Sequence, residues 1–323
     1  MAVSSKKILK LIGCLAVLFA IIGIVLVALS ALFTPKDNTE EAGMYDARAH
    51  GILGEPADSI DVVFVGDSEV YNGYSPLRMW EQYGFTTYLC STNAQKLPYA
   101  NTILHRATSK QHPAIVLIET NEIYNEIGAN DIAKRMLQDT LPVFEYHDRW
   151  KTLRLEDFYE PVSYTWTSDT KGYELNKDST PAEEGLGMED NGKPGEVGRL
   201  NRICLEWILD YVRSIGAVPV LVSTPSIVNW NSERHDAIAA LAQEEGVDYI
   251  DLNFEPTKVD IDWQADTRDR GDHLNFHGAT KASDVLGRYL SETYDLPDHR
   301  GDPAYASWDE CLKRYVEDAA NME

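Results

Sequence analysis

Short apolar runs, each ending in polar residues and separated by stretches of helical periodicity, constrain this chain more than any other feature. The first run, Asp61-Val-Val-Phe-Val65, ends at Gly66-Asp67-Ser68. Thr86-Thr-Tyr-Leu-Cys90, Ala114-Ile-Val-Leu-Ile-Glu119, Ala217-Val-Pro-Val-Leu-Val-Ser223 and Val247–Leu252 follow it. Runs of this length without apolar–polar alternation are what strands buried on both faces look like. Helical segments are expected at 97–110, 197–214, 232–245 and 279–293. In the second of these, Leu200, Ile203, Cys204, Trp207, Ile208 and Val212 share one face. Strands alternating with helices predict a mostly parallel sheet covered on both sides, an α/β chain built as a three-layer α/β/α sandwich of the flavodoxin-like kind.

The alternation lapses between 126 and 196. Residues 126–177, which include Phe144, His147 and Trp150, read as a helical insertion near the edge of the sheet. Residues 178–196 are Gly, Pro and acid with almost no large apolar side chain, and are expected to form a mobile surface loop.

Ahead of the first strand, Leu11 to Phe33 runs 23 residues without a charge. As a helix this spans roughly 34 Å, enough to cross a bilayer core. Lys6, Lys7 and Lys10 precede it, so the positive-inside rule places residues 1–10 in the cytoplasm and everything after residue 33 outside. A cleaved signal peptide would have a shorter apolar core, and Ala28-Leu29-Ser30 is a weak small-x-small site. Leu11-Ile12-Gly13-Cys14 resembles a lipoprotein box but precedes its apolar core instead of following it. The expected organisation is a cytoplasmic tail (1–10), a transmembrane helix (11–33), a polar juxtamembrane stem with room for a short helix (34–60) and an extracytoplasmic domain (61–323) carrying the insertion 126–196.

Charge and cysteine usage exclude some functions. With 29 basic and 52 acidic residues the net charge is −23, which repels phosphate backbones and argues against nucleic acid as a partner. Cys14, Cys90, Cys204 and Cys311 show no CxxC spacing, so neither a zinc site nor a disulfide framework is indicated. Cys14 lies in the apolar segment, and the other three allow at most one bridge.

In an open parallel sheet, ligands collect at the C-terminal ends of the strands. Three strands deliver polar residues there: Gly66-Asp67-Ser68, Glu119-Thr120-Asn121-Glu122 and Ser223-Thr224-Pro225. A fourth group, Asp269-Arg-Gly-Asp-His273-Leu-Asn-Phe-His277-Gly278, precedes the closing helix and belongs to the same edge. A serine hydroxyl needs a base to take its proton, usually a histidine oriented by a carboxylate, and the oxyanion that forms needs N–H donors. Ser68, His273, Asp269 or Asp272, and Asn121 supply that set. Each has a plainer alternative: Ser68 as a helix N-cap, His273 as a structural histidine, Asn121 as a turn residue. His277 reads as a helix-start residue. Asp269 and Asp272 beside His273 do not by themselves make a metal site. Trp150, Trp166 and Trp230 could stack on sugars or fill a core.

Gly66-Asp67-Ser68 after a first strand, and His273-Leu-Asn-Phe-His-Gly278 near the end, resemble the first and last blocks of the SGNH (GDSL) hydrolase superfamily. The resemblance covers residues 61–293. The anchor, the insertion and the His273-Leu-Asn-Phe-His-Gly-Ala279 ending look most like its branches for D-alanyl transfer and alginate O-acetylation. Those act on envelope polymers beside membrane-bound O-acyltransferases. The resemblance implies Ser68 as nucleophile, His273 as base, and oxyanion donors from the Ser68 backbone, a second-block N–H and Asn121. It implies no cofactor and no metal, and as partners an envelope polymer or acylated small substrate with a membrane-bound O-acyltransferase. Three departures stand out. Arg270 occupies the position of the usual triad Asp, three before the His, leaving Asp269 (through a one-residue bulge) or Asp272. Asn93-Ala94-Gln95 replaces the second-block Gly, and Thr-Asn-Glu replaces Gly-x-Asn-Asp. The expected function is a serine esterase or O-acyltransferase on a cell-envelope glycan or teichoic-acid-type polymer. The rival is a non-catalytic envelope scaffold that binds a polymer or an acyltransferase. A lipid esterase would show an apolar groove beside Ser68.

Overall fold

A computed structural model describes residues 5–185, 187–188 and 191–321. The chain divides into two compact units, one of Met1–Tyr45 with Asn130–Tyr164, the other of Asp46–Ala129 with Thr165–Glu323.

The second unit holds a five-stranded sheet in the order β2-β1-β3-β4-β5. Its strands are β1 (Val62–Gly66), β2 (Thr87–Ser91), β3 (Ile115–Glu119), β4 (Val218–Ser223) and β5 (Asp248–Asp251), all paired in parallel. Each begins within a residue of its expected position. The first three are buried at every residue, which is why their sequences show no alternation. Helices Ser68–Gly73, Pro76–Tyr83 and Phe276–Thr293 pack together, and Leu97–Ala107 packs against Arg199–Ser214. Right-handed crossovers explain the two layers. The chain moves one way from β1 to β2 and the other way from β2 to β3 and onward, so the helices of the first crossover fall on one face and those of the later crossovers on the other. The direction reverses between β1 and β3, and a crevice opens at such a point.

Three segments show more order than the sequence indicates. Residues 46–60 carry a short helix, as allowed for the stem, but they belong to the second unit and are packed into it. They form a helix at Ala47–His50 and a turn at Gly51–Gly54, with Ala49, Ile52 and Leu53 buried. A buried ion pair from Lys171 Nζ to Glu55 Oε1 at 2.8 Å secures the segment. Apolar residues spaced to cover one side of a short helix were hidden among its Gly and Asp. Residues 178–196 form an irregular surface loop, as expected, with two anchors: Ala182 N donates to Trp263 O, and Asn191 Nδ2 donates to the carbonyls of Ile227, Val228 and Trp230. Polar side chains do there what apolar burial does elsewhere. Leu186, Glu189 and Asp190 of that loop lie outside the described residues. A further helix, Ala306–Asn321, follows the expected closing one and seats Trp308 against Trp80. The four cysteines are all free thiols.

In the first unit, helix Ser5–Phe33 is long and apolar enough to cross a membrane. The insertion contributes a helix, Ala129–Thr140, and three 3-10 turns at Pro142–Phe144, His147–Lys151 and Leu155–Phe158. These close on the last turn of the long helix. Ser30 Oγ accepts from Val143 N at 3.2 Å, and Arg149 donates to Phe33 O at 2.8 Å. Arg149 also pairs with buried Asp157 at 2.7 Å.

Candidate active site

β1 ends at a glycine for a steric reason. A Cβ on Gly66 would lie 2.5 Å from Glu119 Cβ on the paired strand, so any larger residue would push β1 away from β3. Asp67 then leaves the strand and caps the following helix, its Oδ1 accepting from Glu69 N at 3.1 Å. Ser68 is therefore the first residue of that helix, at the C-terminal edge of the sheet beside the reversal point.

From 205 residues away in sequence, His273 Nε2 lies 2.8 Å from Ser68 Oγ. Its Nδ1 lies 2.7 Å from Asp269 Oδ2, and its backbone N–H donates to Asp269 Oδ1 at 2.7 Å. Asp272 does not reach the ring: its Oδ2 is 3.8 Å from Nδ1, and its Oδ1 accepts from Asn229 Nδ2 instead. Of the two candidate carboxylates, geometry brings Asp269 to the histidine, four residues before it.

The loop makes this possible with two successive left-handed residues, Arg270 at φ 67° and Gly271 at φ 93°. Buried Thr267 cinches its ends. Its Oγ1 donates to His273 O at 2.9 Å and accepts from Gly271 N at 2.8 Å. A Cβ on Gly271 would meet Ile227 Cγ1 at 2.5 Å in a conformation that L side chains rarely adopt. Gly271→Ala is expected to destabilise the protein by about 1–3 kcal/mol and to lower turnover along with stability. Urea unfolding and ester hydrolysis measured side by side check this, and a variant as stable and active as wild type would contradict it.

Electrostatics favour a base at His273. Burial pushes the Asp269 carboxyl up, but the hydrogen bonds from the His273 ring and backbone outweigh it and hold the group below its usual range. Burial lowers His273, while the hydrogen bond to Asp269 and the charges of Asp272, Asp269 and Asp67 raise it above 6.5 overall.

Asn121, at the end of β3, donates from Nδ2 to Asp67 Oδ2 at 2.9 Å and accepts from Arg234 at 3.1 Å. Its amide is thereby fixed beside the residue preceding Ser68, with one of its two N–H groups directed at Asp67. Asn125 donates to the same Asp67 oxygen at 3.2 Å. In the stretch that replaces the second-block glycine, Ala94 adopts φ 47°, the left-handed conformation a glycine reaches at lower cost. Asn229 donates to both Glu69 Oε1 (2.8 Å) and Asp272 Oδ1 (2.5 Å). Neither Asn229 nor Thr267 stood out in the sequence, because nothing about a lone Asn or Thr in a loop signals its partners.

Glu69, Asp272 and His273 each bring a possible ligand atom within 4.8 Å of the others. Both His273 nitrogens are engaged by Asp269 and Ser68, so a metal there would have to displace one of them. His277 is exposed on the first turn of its helix. Trp230 is buried and donates to Asp251 at 2.9 Å, as a core residue does. Trp150 and Trp166 are 64% and 37% exposed.

No known protein family matches this chain, and no curated protein does. Among solved structures it is similar to a lipase/acylhydrolase from Enterococcus faecalis, with 8% identity over 74% of this chain and 99% of that one, TM-score 0.40. It is also similar to a family 3 carbohydrate esterase from Clostridium thermocellum, with 12% identity over 72% and 96%, TM-score 0.38. A psychrotrophic esterase from Pseudoalteromonas sp. matches at 9% identity over 72% and 97%, TM-score 0.39. Likeness at this level carries no functional weight, and the chemistry rests on the side chains described above.

Proposed function

We infer that the protein is a serine esterase or O-acyltransferase of the SGNH type. The observation that carries this reading is the continuous contact from Ser68 Oγ to His273 Nε2 and from His273 Nδ1 to Asp269. Ser68 Oγ attacks the acyl carbonyl while its proton passes to His273 Nε2. The tetrahedral oxyanion is met by the Ser68 backbone N–H and the remaining amide N–H of Asn121. Collapse expels the alcohol, which takes its proton from His273, and leaves an acyl-Ser68 ester. An incoming hydroxyl then reverses the sequence.

The acceptor we propose is a hydroxyl of a cell-envelope glycan or teichoic-acid-type polymer, with a membrane-bound O-acyltransferase as partner. The apolar N-terminal helix, the insertion and the His273-Leu-Asn-Phe-His-Gly-Ala279 ending, which together look most like the envelope-modifying branches, support it. Residues 1–10 then lie in the cytoplasm and the catalytic unit outside, as Lys6, Lys7 and Lys10 favour. The docking of Asp269 onto His273 counts against a non-catalytic scaffold, which has no use for an oriented base.

A fluorophosphonate probe tests the reading on the full chain. Wild type is expected to label covalently and Ser68→Ala not at all. A folded wild type that takes no label would overturn it.

A further inference from the structure

Outside the apolar span, the first unit leaves a run of large apolar side chains uncovered between Trp150 and Val162, in addition to Tyr45, Met136, Leu137 and Phe144. Trp150, Leu155, Phe158 and Tyr159 are 64%, 78%, 67% and 70% exposed, and Val162 is 44% exposed. A single scattered apolar residue means little, but a run of this kind marks an interaction surface. The same segment abuts the N-terminal helix. A cavity of about 470 Å³ is lined by Ala28, Ala31, Leu32 and Lys36 of the N-terminal segment and by Asp157, Phe158, Tyr159, Glu160 and Pro161 of the insertion, apolar side chains with a charged rim.

Position along the helix sets a depth. A hydrocarbon core about 30 Å thick takes up about 20 helical residues. Counted from Leu11, that distance ends near Ser30. Ser30 is also the first residue of the helix to be buried, at 7% exposure, and residues 6–25 are all exposed. Protein therefore begins to cover the helix where lipid tails give way to headgroups. Trp and Tyr favour that depth because their rings have an apolar body and a polar tip.

Charge agrees. Between Asn130 and Tyr164 there are five basic and seven acidic residues, and up to Tyr45 four basic and three acidic. Nearly all of the −23 sits on the other unit, so this one is not driven from an anionic surface.

We propose that residues 150–162 form a lipid-contacting platform, with Trp150, Leu155, Phe158, Tyr159 and Val162 inserted among the headgroups of the bilayer that the N-terminal helix crosses. This rests on the membrane-spanning reading of that helix. The platform gives the first unit a second point of membrane attachment and limits its tilt.

The test uses the full chain reconstituted in phosphatidylcholine–phosphatidylglycerol vesicles. In a Cys14→Ala background the remaining native thiols are buried. Leu155→Cys or Val316→Cys, the latter exposed on the other unit, then carries an environment-sensitive nitrobenzoxadiazole label. Unsubstituted Cys14, labelled in detergent before reconstitution, reports on the span itself. The Leu155 site is expected to show blue-shifted emission, quenched several-fold more strongly by shallow doxyl lipids than the Val316 site. Water-like, unquenched emission at Leu155 with a deeply quenched Cys14 label would overturn the platform and leave the span standing. Loss of quenching at Cys14 as well would remove the span and the platform together. A blue shift at Leu155 without lipid quenching would mean that protein, not lipid, covers the patch, and would overturn it too.

Discussion

Asp269→Asn is expected to lower kcat for ester turnover by about 10⁴-fold, and Asp272→Asn by less than about tenfold. Only Asp269 bonds the ring, at 2.7 Å, and so sets which nitrogen of His273 faces Ser68. An amide in its place can turn its N–H toward Nδ1 and select the wrong tautomer. Asp272, at 3.8 Å, acts on His273 through charge alone. That charge supports the imidazolium and contributes to the raised pKa of His273. Because the base must be neutral to accept the Ser68 proton, activity falls as pH drops through that raised value. Removing the Asp272 charge lowers it, so the acid limb of kcat/KM moves to lower pH. Steady-state kinetics on a soluble acyl ester across pH 5–9 read both effects. Equal losses in the two variants, or an acid limb moving upward in Asp272→Asn, would contradict the assignment.

Glu119→Gln is expected to stabilise the protein at alkaline pH, by on the order of 1–3 kcal/mol near pH 8, and to do little near pH 5. Asp67, Glu69, Glu119 and Glu122 are all at most 3% exposed. Burial pushes each carboxyl above its usual range. The charge of Asp67 raises the three glutamates further; Arg234 faces Glu119 and Asp67, and His273 also faces Asp67. The sign follows from linkage. The folded chain holds these protons more tightly than the unfolded one, so their contribution is complete below the unfolded carboxylate range and is lost as pH rises through the folded values. Glutamine removes the titration and keeps the local bonds, because Glu119 Oε2 only accepts, from Asn121 N at 2.7 Å and Glu122 N at 3.2 Å. Urea unfolding of wild type and variant between pH 5 and 9 measures the difference. A gain that does not grow with pH would show that the cluster is already neutralised in some other way.

Much of the fold was legible because it follows from local periodicity. The five strands, the helices between them and the N-terminal apolar helix all declare themselves by which residues must leave water. Ser68 and His273 were legible as candidates for a related reason: strand ends in a parallel sheet project to one edge, whatever the details of packing. The burial of 46–60 was not legible because its few apolar residues become informative only once something covers them. The anchors of the loop at 178–196 were not legible because they are Asn and backbone groups, whose partners lie far away in sequence.

By itself the sequence determined the layer architecture, the membrane-length helix and the edge on which the polar residues converge, since apolar periodicity dictates which face of each element is buried. Only the tertiary structure decided which aspartate meets His273. That choice depends on two left-handed residues, one of them an arginine that nothing marks for that conformation, and on a threonine hydroxyl closing the loop. Such geometry is imposed by contacts across the fold, and residue type alone does not encode it.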